Sequence, residues 1–143
     1  RQVSNTIHLV EQLYITSTLL KRAGDNKIFK KYGLTTGLFA ILVKIALGKN
    51  TNSELLEYIE GTPASITQKL KLLEEKGIIS RRLGENDKRK WFFDITAKGL
   101  RILAEIQPEY EGQLTILFSN FPETTIRDIL IALKNLEERL RSG

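Results

Sequence analysis

The sequence predicts a mainly α chain that carries one small β-hairpin. Two observations lead there. Apolar residues recur at helical spacing through most of the 143 residues. Strand-like alternation occurs in one place only, between Ile78 and Ile95, where the turn-forming run Gly84-Glu85-Asn86-Asp87 divides it.

The elements follow in order. From Val3 to about Arg22, Ile7, Val10 and Tyr14, with Leu9, Leu13 and Leu20 beside them, give a broad apolar helical face, and Gly24-Asp25-Asn26 is expected to break it. A second helix starts after Gly33, capped by Thr35 or Thr36, and runs through Leu38, Phe39, Leu42, Val43 and Ala46 to Gly48. Thr51, Asn52 or Ser53 caps a short third helix with Leu55, Leu56 and Ile59, which ends at Glu60-Gly61. Thr62-Pro63 opens the fourth, because a hydroxyl cap followed by proline suits a first helical turn. Its buried stripe is Ile66, Leu70 and Leu73, and Gly77 supplies a left-handed end. Strands are expected at Ile78–Leu83 and Trp91–Ile95, with Trp91, Phe93 and Ile95 on one face and Phe92 and Asp94 on the other. Thr96 caps a long fifth helix carrying Leu100, Leu103, Ile106, Tyr110, Leu114 and Leu117, with a kink expected at Pro108. Pro122 starts the sixth, where Ile126, Ile129, Leu133, Leu136 and Leu140 follow a heptad spacing. A helix packed on its own domain is the plainest reading of that stripe; a seam between subunits is the other.

Composition narrows the function. With no cysteine, disulfides, thiol switches and thiolate metal sites are excluded. A single imidazole, His8, argues against a His-rich metal site or a Ser-His relay. No apolar run is long enough to span a membrane, and Asn5, His8 and Glu11 interrupt any signal-like stretch, so a cytoplasmic location is expected. Neither a phosphate-binding glycine loop nor a nucleophile with a base is present, so an enzyme is not expected, and no cofactor is implied.

The net charge is +5, from 22 basic and 17 acidic residues, and its placement says more than its size. Residues 1–50 hold eight basic groups against two acidic, and residues 51–61 hold three acidic groups alone. Residues 62–98 hold nine basic against five acidic, whereas residues 99–143 hold five against seven. The densest cluster is Arg81, Arg82, Lys88, Arg89 and Lys90.

Two short helices, a tight connection and a hairpin compose a winged helix-turn-helix. The second helix of such a pair enters the DNA major groove and reads base edges from its outer face. Here Ser65, Thr67, Gln68, Lys69 and Lys71 occupy that face, with Thr62 at the helix start. Like charges on one loop repel, so Lys88-Arg89-Lys90 gains nothing from folding and gains from a polyanion. An arginine on a thin loop suits the narrow, strongly negative minor groove. Asp87 is placed to hold that loop, and Arg81 adds to the basic surface.

Thr62-Pro63-Ala64-Ser65-Ile66-Thr67-Gln68 and Leu73-Glu74-Glu75-Lys76-Gly77-Ile78-Ile79-Ser80-Arg81 resemble the recognition helix and following strand of the MarR family of regulators. Asp87-Lys88-Arg89, then Ile95-Thr96-Ala97-Lys98-Gly99, is similar to that family's wing signature, and the likeness extends over nearly the whole chain. Lys69, Leu72 and Gly84-Glu85 depart from the usual pattern.

The resemblance implies a homodimeric transcriptional regulator of double-stranded DNA with a pseudopalindromic operator, and a repressor relieved by a small anionic or aromatic effector. It implies Arg89 in the minor groove, with Asp87 as its structural partner. It implies that residues 1–32 and 99–143 form the dimerisation region around a DNA-binding domain at 33–98. Ile7, Val10, Ile126, Ile129, Leu133, Leu136 and Leu140 then become the dimer seam, and Tyr14 and Phe39 become candidates for an effector pocket. The rival reading is a winged-helix module that binds protein; it requires an apolar recognition face, which Lys69 and Lys71 oppose.

Overall fold

The computed structural model describes residues 2–143. Its order is α1 (Asn5–Lys27), a short 3-10 turn (Phe29–Tyr32), α2 (Thr36–Ala46), α3 (Asn52–Tyr58), α4 (Pro63–Glu75), β1 (Ile79–Leu83), β2 (Trp91–Ile95), α5 (Ala97–Leu117) and α6 (Glu123–Ser142). One compact unit ends at Gln107 and a second runs Pro108–Gly143.

Hydroxyl caps start the helices of the first unit. Thr35 Oγ1 accepts from Leu38 N at 3.1 Å and Thr51 Oγ1 from Glu54 N at 3.2 Å. Thr96 Oγ1 likewise accepts from Gly99 N at 3.1 Å. Each satisfies a donor that the first helical turn leaves free. At the far end of α4, Gly77 takes φ +72°, where a side chain would be strained, and Ile78 N donates to Leu73 O at 3.0 Å. Ile78 is thereby spent on closing the helix, so β1 begins at Ile79, one residue later than expected.

The core of this unit gathers Phe29, Leu34, Leu38, Ile41, Leu42, Leu55, Ile66, Leu70, Leu73, Ile78, Ile79, Phe93 and Ile106, all buried. Burying each such side chain is worth about 1.5–3 kcal/mol. The expected stripe of α4 is therefore its buried face, and the opposite face is left to solvent.

A further expectation is corrected. Gly24-Asp25-Asn26 does not end α1, which continues to Lys27. Asp25 Oδ1 accepts from Thr36 N at 2.5 Å, and Thr36 Oγ1 donates to Lys21 O at 3.0 Å. These bonds to the start of α2 offset the poor helix propensity of the three residues, and the carboxylate also suits the positive end of α2. The Phe29–Tyr32 turn, which no periodicity announces, follows directly and buries Phe29. Pro108 lies within the continuous α5, where it has no N–H to offer, and the boundary between the two units falls there.

In the second unit α6 carries its heptad stripe in the open: Ile126, Ile129, Leu133, Leu136 and Leu140 are all exposed, as are Phe118 and Phe121 in the preceding turn. α1 likewise buries none of its described residues, with Ile7, Leu9, Val10, Ile15, Leu19 and Leu20 exposed.

Candidate nucleic-acid interface

The hairpin pairs antiparallel, with Ile79 opposite Ile95, Arg81 opposite Phe93 and Leu83 opposite Trp91 on one face, and Ser80 opposite Asp94 and Arg82 opposite Phe92 on the other. Its inner face is anchored by Ile79 and Phe93, both buried. Asn50, in the loop before α3, holds β2 from the side. Phe93 N donates to Asn50 O at 2.9 Å, and Asn50 Nδ2 donates to Phe93 O at 3.2 Å. At the base, Thr96 Oγ1 donates to the carbonyls of Gly77 (2.6 Å) and Ile78 (3.0 Å), and Lys98 Nζ donates to Lys76 O at 2.7 Å. Wing and α4 thus rise from one hydrogen-bonded root.

At the tip, Gly84 N donates to Lys90 O at 3.0 Å and Lys90 N to Asp87 O at 3.2 Å. Gly84 is pressed on both sides: a Cβ there would lie 2.6 Å from the Phe92 ring and 2.7 Å from Asp87 O. That closeness accounts for a glycine at the start of this wing. Asp87 Oδ1 accepts from Arg89 N at 3.0 Å and from Arg89 Nε at 3.2 Å. The backbone bond and then the side-chain bond from Arg89 hold the Asp87 carboxyl below its ordinary range. Arg89 is shaped by this pair yet 91% of its side chain is exposed. Lys88 and Lys90 flank it, exposed and without an ion pair among the described residues.

On α4, Thr62 and Ser65 form a reciprocal capping box. Ser65 N donates to Thr62 Oγ1 at 3.1 Å, Thr62 N to Ser65 Oγ at 3.0 Å, and Ser65 Oγ to Thr62 O at 3.0 Å. These two hydroxyls are engaged in shaping the helix end. Thr67, Gln68 and Lys71 stand exposed on the outer face. Ser65, Gln68, Lys69, Lys71, Leu72 and Glu75 line one open depression there. Lys69 leans toward the start of α2, where a methyl placed on Gly37 would lie 3.3 Å from its Nζ.

The two arginines of β1 are held by carboxylates and rings. Arg81 Nε donates to Glu74 Oε2 at 3.0 Å, and its guanidinium lies 5.1 Å from the centre of the Trp91 ring. Arg82 Nε donates to Asp94 Oδ2 at 2.8 Å and lies 5.2 Å from the Phe92 ring centre. Glu74, Asn50 and Asp94 are neighbours of the wing that the sequence did not mark as such. Their partners are brought together by the fold rather than by spacing along the chain. Away from the wing, Lys21 Nζ on α1 forms an ion pair with Glu60 in the turn between α3 and α4, and its hydrogen bond and charge lower the Glu60 pKa.

Tyr14 and Phe39 have separate surroundings. Tyr14 lies largely exposed on α1, and Phe39 stacks on Phe29 with ring centres 4.6 Å apart. Among the described residues no group of His, Cys, Asp or Glu is arranged to hold a metal ion, and no helix is long and apolar enough to cross a membrane.

Comparison with known proteins agrees with this architecture. A family model described as transcriptional regulator SarA/Rot matches residues 25–106. The transcriptional repressor MprA of Escherichia coli K12 is 31% identical over 121 residues, a match spanning 82% of this chain and 67% of MprA. Among solved structures, the transcriptional regulator BldR from Sulfolobus solfataricus superposes with a TM-score of 0.87 at 20% identity, over 97% of this chain and 99% of BldR. A MarR family transcriptional regulator from Listeria monocytogenes, crystallised with a 26mer DNA, superposes with a TM-score of 0.81 at 23% identity. That match covers 92% of this chain and 87% of the Listeria protein.

Proposed function

The chain belongs to the MarR-type transcriptional regulators of the SarA/Rot family, and from that membership we propose that it represses transcription as a homodimer on a pseudopalindromic DNA duplex. The outer face of α4, with Thr67, Gln68 and Lys71, lies in the major groove. The wing follows the adjacent minor groove with Arg89, while Lys88 and Lys90 meet phosphates. Thr62 and Ser65 keep the start of α4 in shape and present its backbone donors to the DNA backbone. A dimer sets its two α4 helices in successive major grooves about 34 Å apart. The exposed apolar stripes of α1 and α6 support the dimer, since large open apolar surfaces mark interaction sites. The domain at residues 33–98 then binds DNA, and residues 1–32 and 99–143 associate the subunits.

One observation carries this reading. Arg89 is oriented by Asp87 on a tight loop, yet its side chain stays 91% open between two unpaired lysines. A loop with only a structural duty has no use for such an arrangement. The effector expected at Tyr14 and Phe39 draws no support from their surroundings, because the Phe39 ring is already taken up by Phe29.

The test is a fluorescence anisotropy titration on duplexes enriched from a genomic library. Arg89→Ala is expected to weaken binding by roughly tenfold or more, the scale of one groove contact. Lys88→Ala is expected to weaken binding and to flatten its dependence on log salt by about one unit. Wild-type affinity in the Arg89→Ala protein would overturn the wing assignment.

A further inference from the structure

Arg81 was expected among the DNA contacts, but its surroundings suit another duty. It sits midway along β1, between the last turn of α4, which carries Glu74, and the first residue of β2, Trp91. One guanidinium reaches both: its Nε bonds Glu74 Oε2 at 3.0 Å and its face lies 5.1 Å from the Trp91 ring centre. Trp91 is joined directly to Lys90 and stands two residues from Arg89. The root of the hairpin is already tied to α4 through Ile78, Thr96 and Lys98. The contact made by Arg81 lies further out, on the half of the strands that carries the tip. Glu74 is only 23% exposed and Arg81 45%, so water screens this pair less than an open surface pair.

We propose that Arg81 is a positioning residue that couples the recognition helix to the wing, by bonding Glu74 and lying on Trp91, rather than a residue that touches DNA. This rests on the DNA-binding reading above. A planar guanidinium is needed, because it donates from its edge while stacking with its face; a lysine ammonium keeps the charge but offers no such plane. The coupling fixes the distance from the α4 outer face to Arg89, and so the angle between the two grooves that one subunit addresses.

Glu74→Gln separates the two roles. Removing a negative charge from a DNA-facing helix should tighten binding if Arg81 were a phosphate contact that Glu74 partly neutralises. Coupling requires the opposite: about fivefold weaker binding, with an unchanged salt slope. Arg81→Lys, which keeps the charge, is expected to lose a similar factor, and the double variant to be no worse than either single one, because both break one unit. A second readout needs no DNA. Trp91 is the only tryptophan of the chain, so fluorescence excited at the red edge, where the four tyrosines absorb little, reports on its surroundings. Both single variants are expected to shift its emission to the red and to raise its quenching by iodide, while far-ultraviolet circular dichroism stays that of the wild type. Unchanged Trp91 emission and quenching, or tighter DNA binding by Glu74→Gln, would overturn the proposal. Should Arg89→Ala bind as wild type while Trp91 still responds to Arg81→Lys, the DNA reading fails and the contact between helix and wing stands.

Discussion

Gly99→Ala tests how the wing is seated on the long helix. Gly99 lies in the first turn of α5, and a Cβ there would fall 2.3 Å from the Ile78 carbonyl oxygen and 2.7 Å from Ile95 Cγ2. Ordinary contact begins at 3.4 Å, so helix and strand must part by about 1 Å. The carbonyl in question accepts from Thr96 N and from Thr96 Oγ1, both at 3.0 Å, and the displacement stretches both bonds. Overpacking costs about 1–3 kcal/mol and a weakened hydrogen bond about 1 kcal/mol. The better helix propensity of alanine returns about 1 kcal/mol. The net is a loss of about 1–3 kcal/mol, or roughly 4–12 °C in Tm for a chain of this size. Gly112→Ala is the control, because it lies in the same helix and its Cβ would meet nothing within 4 Å. It keeps the propensity gain without the clash and is expected to stabilise by about 1 kcal/mol. Urea and thermal unfolding followed by circular dichroism, at one fixed protein concentration, measure both. Equal stabilities for the two variants would refute the close approach of α5 to Ile78.

Gly84→Ala, whose Cβ would meet the Phe92 ring at 2.6 Å and Asp87 O at 2.7 Å, should distort the wing tip. We expect roughly tenfold weaker DNA binding by anisotropy, with global stability within about 1 kcal/mol of wild type, since the loop is peripheral to the core. Leu133→Asp places a charge in the exposed α6 stripe, and if that stripe is the proposed subunit seam, multi-angle light scattering is expected to report a dimer for the wild type and a monomer for the variant. For Asp87, the lowered pKa means that the folded wing favours the charged carboxylate. Its contribution is therefore present above the ordinary value of 3.8 and is lost only as pH falls through the lower folded value. In a His8→Gln background, which removes the single imidazole, DNA affinity should be level from about pH 5 to 8. Asp87→Asn should weaken binding throughout that range.

The sequence made visible whatever depends on neighbours along the chain. Thr62 followed by Pro63, and Gly77 after the stripe Ile66, Leu70 and Leu73, define α4 almost to the residue because capping chemistry is local. The wing tip was legible for the same reason, as Asp87 reaches Arg89 two residues away. Contacts whose partners lie far apart were hidden. Asp25 reads as a helix breaker until Thr36, eleven residues on, is seen to bond it. Glu74 reads as one more charge on a helix, and Asn50 as a loop residue, until β1 and β2 arrive beside them. Arg81 could be counted in a basic cluster, but composition says nothing about which carboxylate or ring it meets.

That distinction changes what the positive charge means. Of the basic residues between 62 and 98, Arg81 and Arg82 are held by carboxylates and rings, and Lys98 by a backbone carbonyl. The charges of Arg81 and Arg82 are partly cancelled at short range by their carboxylates and add little to the field that a duplex meets at a distance, whereas a carbonyl leaves the charge of Lys98 intact. Lys71, Lys88 and Lys90 stand on the outer face of α4 and on the wing tip, exposed and without ion pairs among the described residues. Arg89 differs from Arg81 and Arg82 in exposure rather than in pairing: its side chain is 91% open, and an ion pair with so exposed a partner is worth about 1 kcal/mol or less. A phosphate or a narrow minor groove competes easily against so weak a partner. Asp87 therefore aims Arg89 on an ordered loop while leaving its guanidinium open to the duplex.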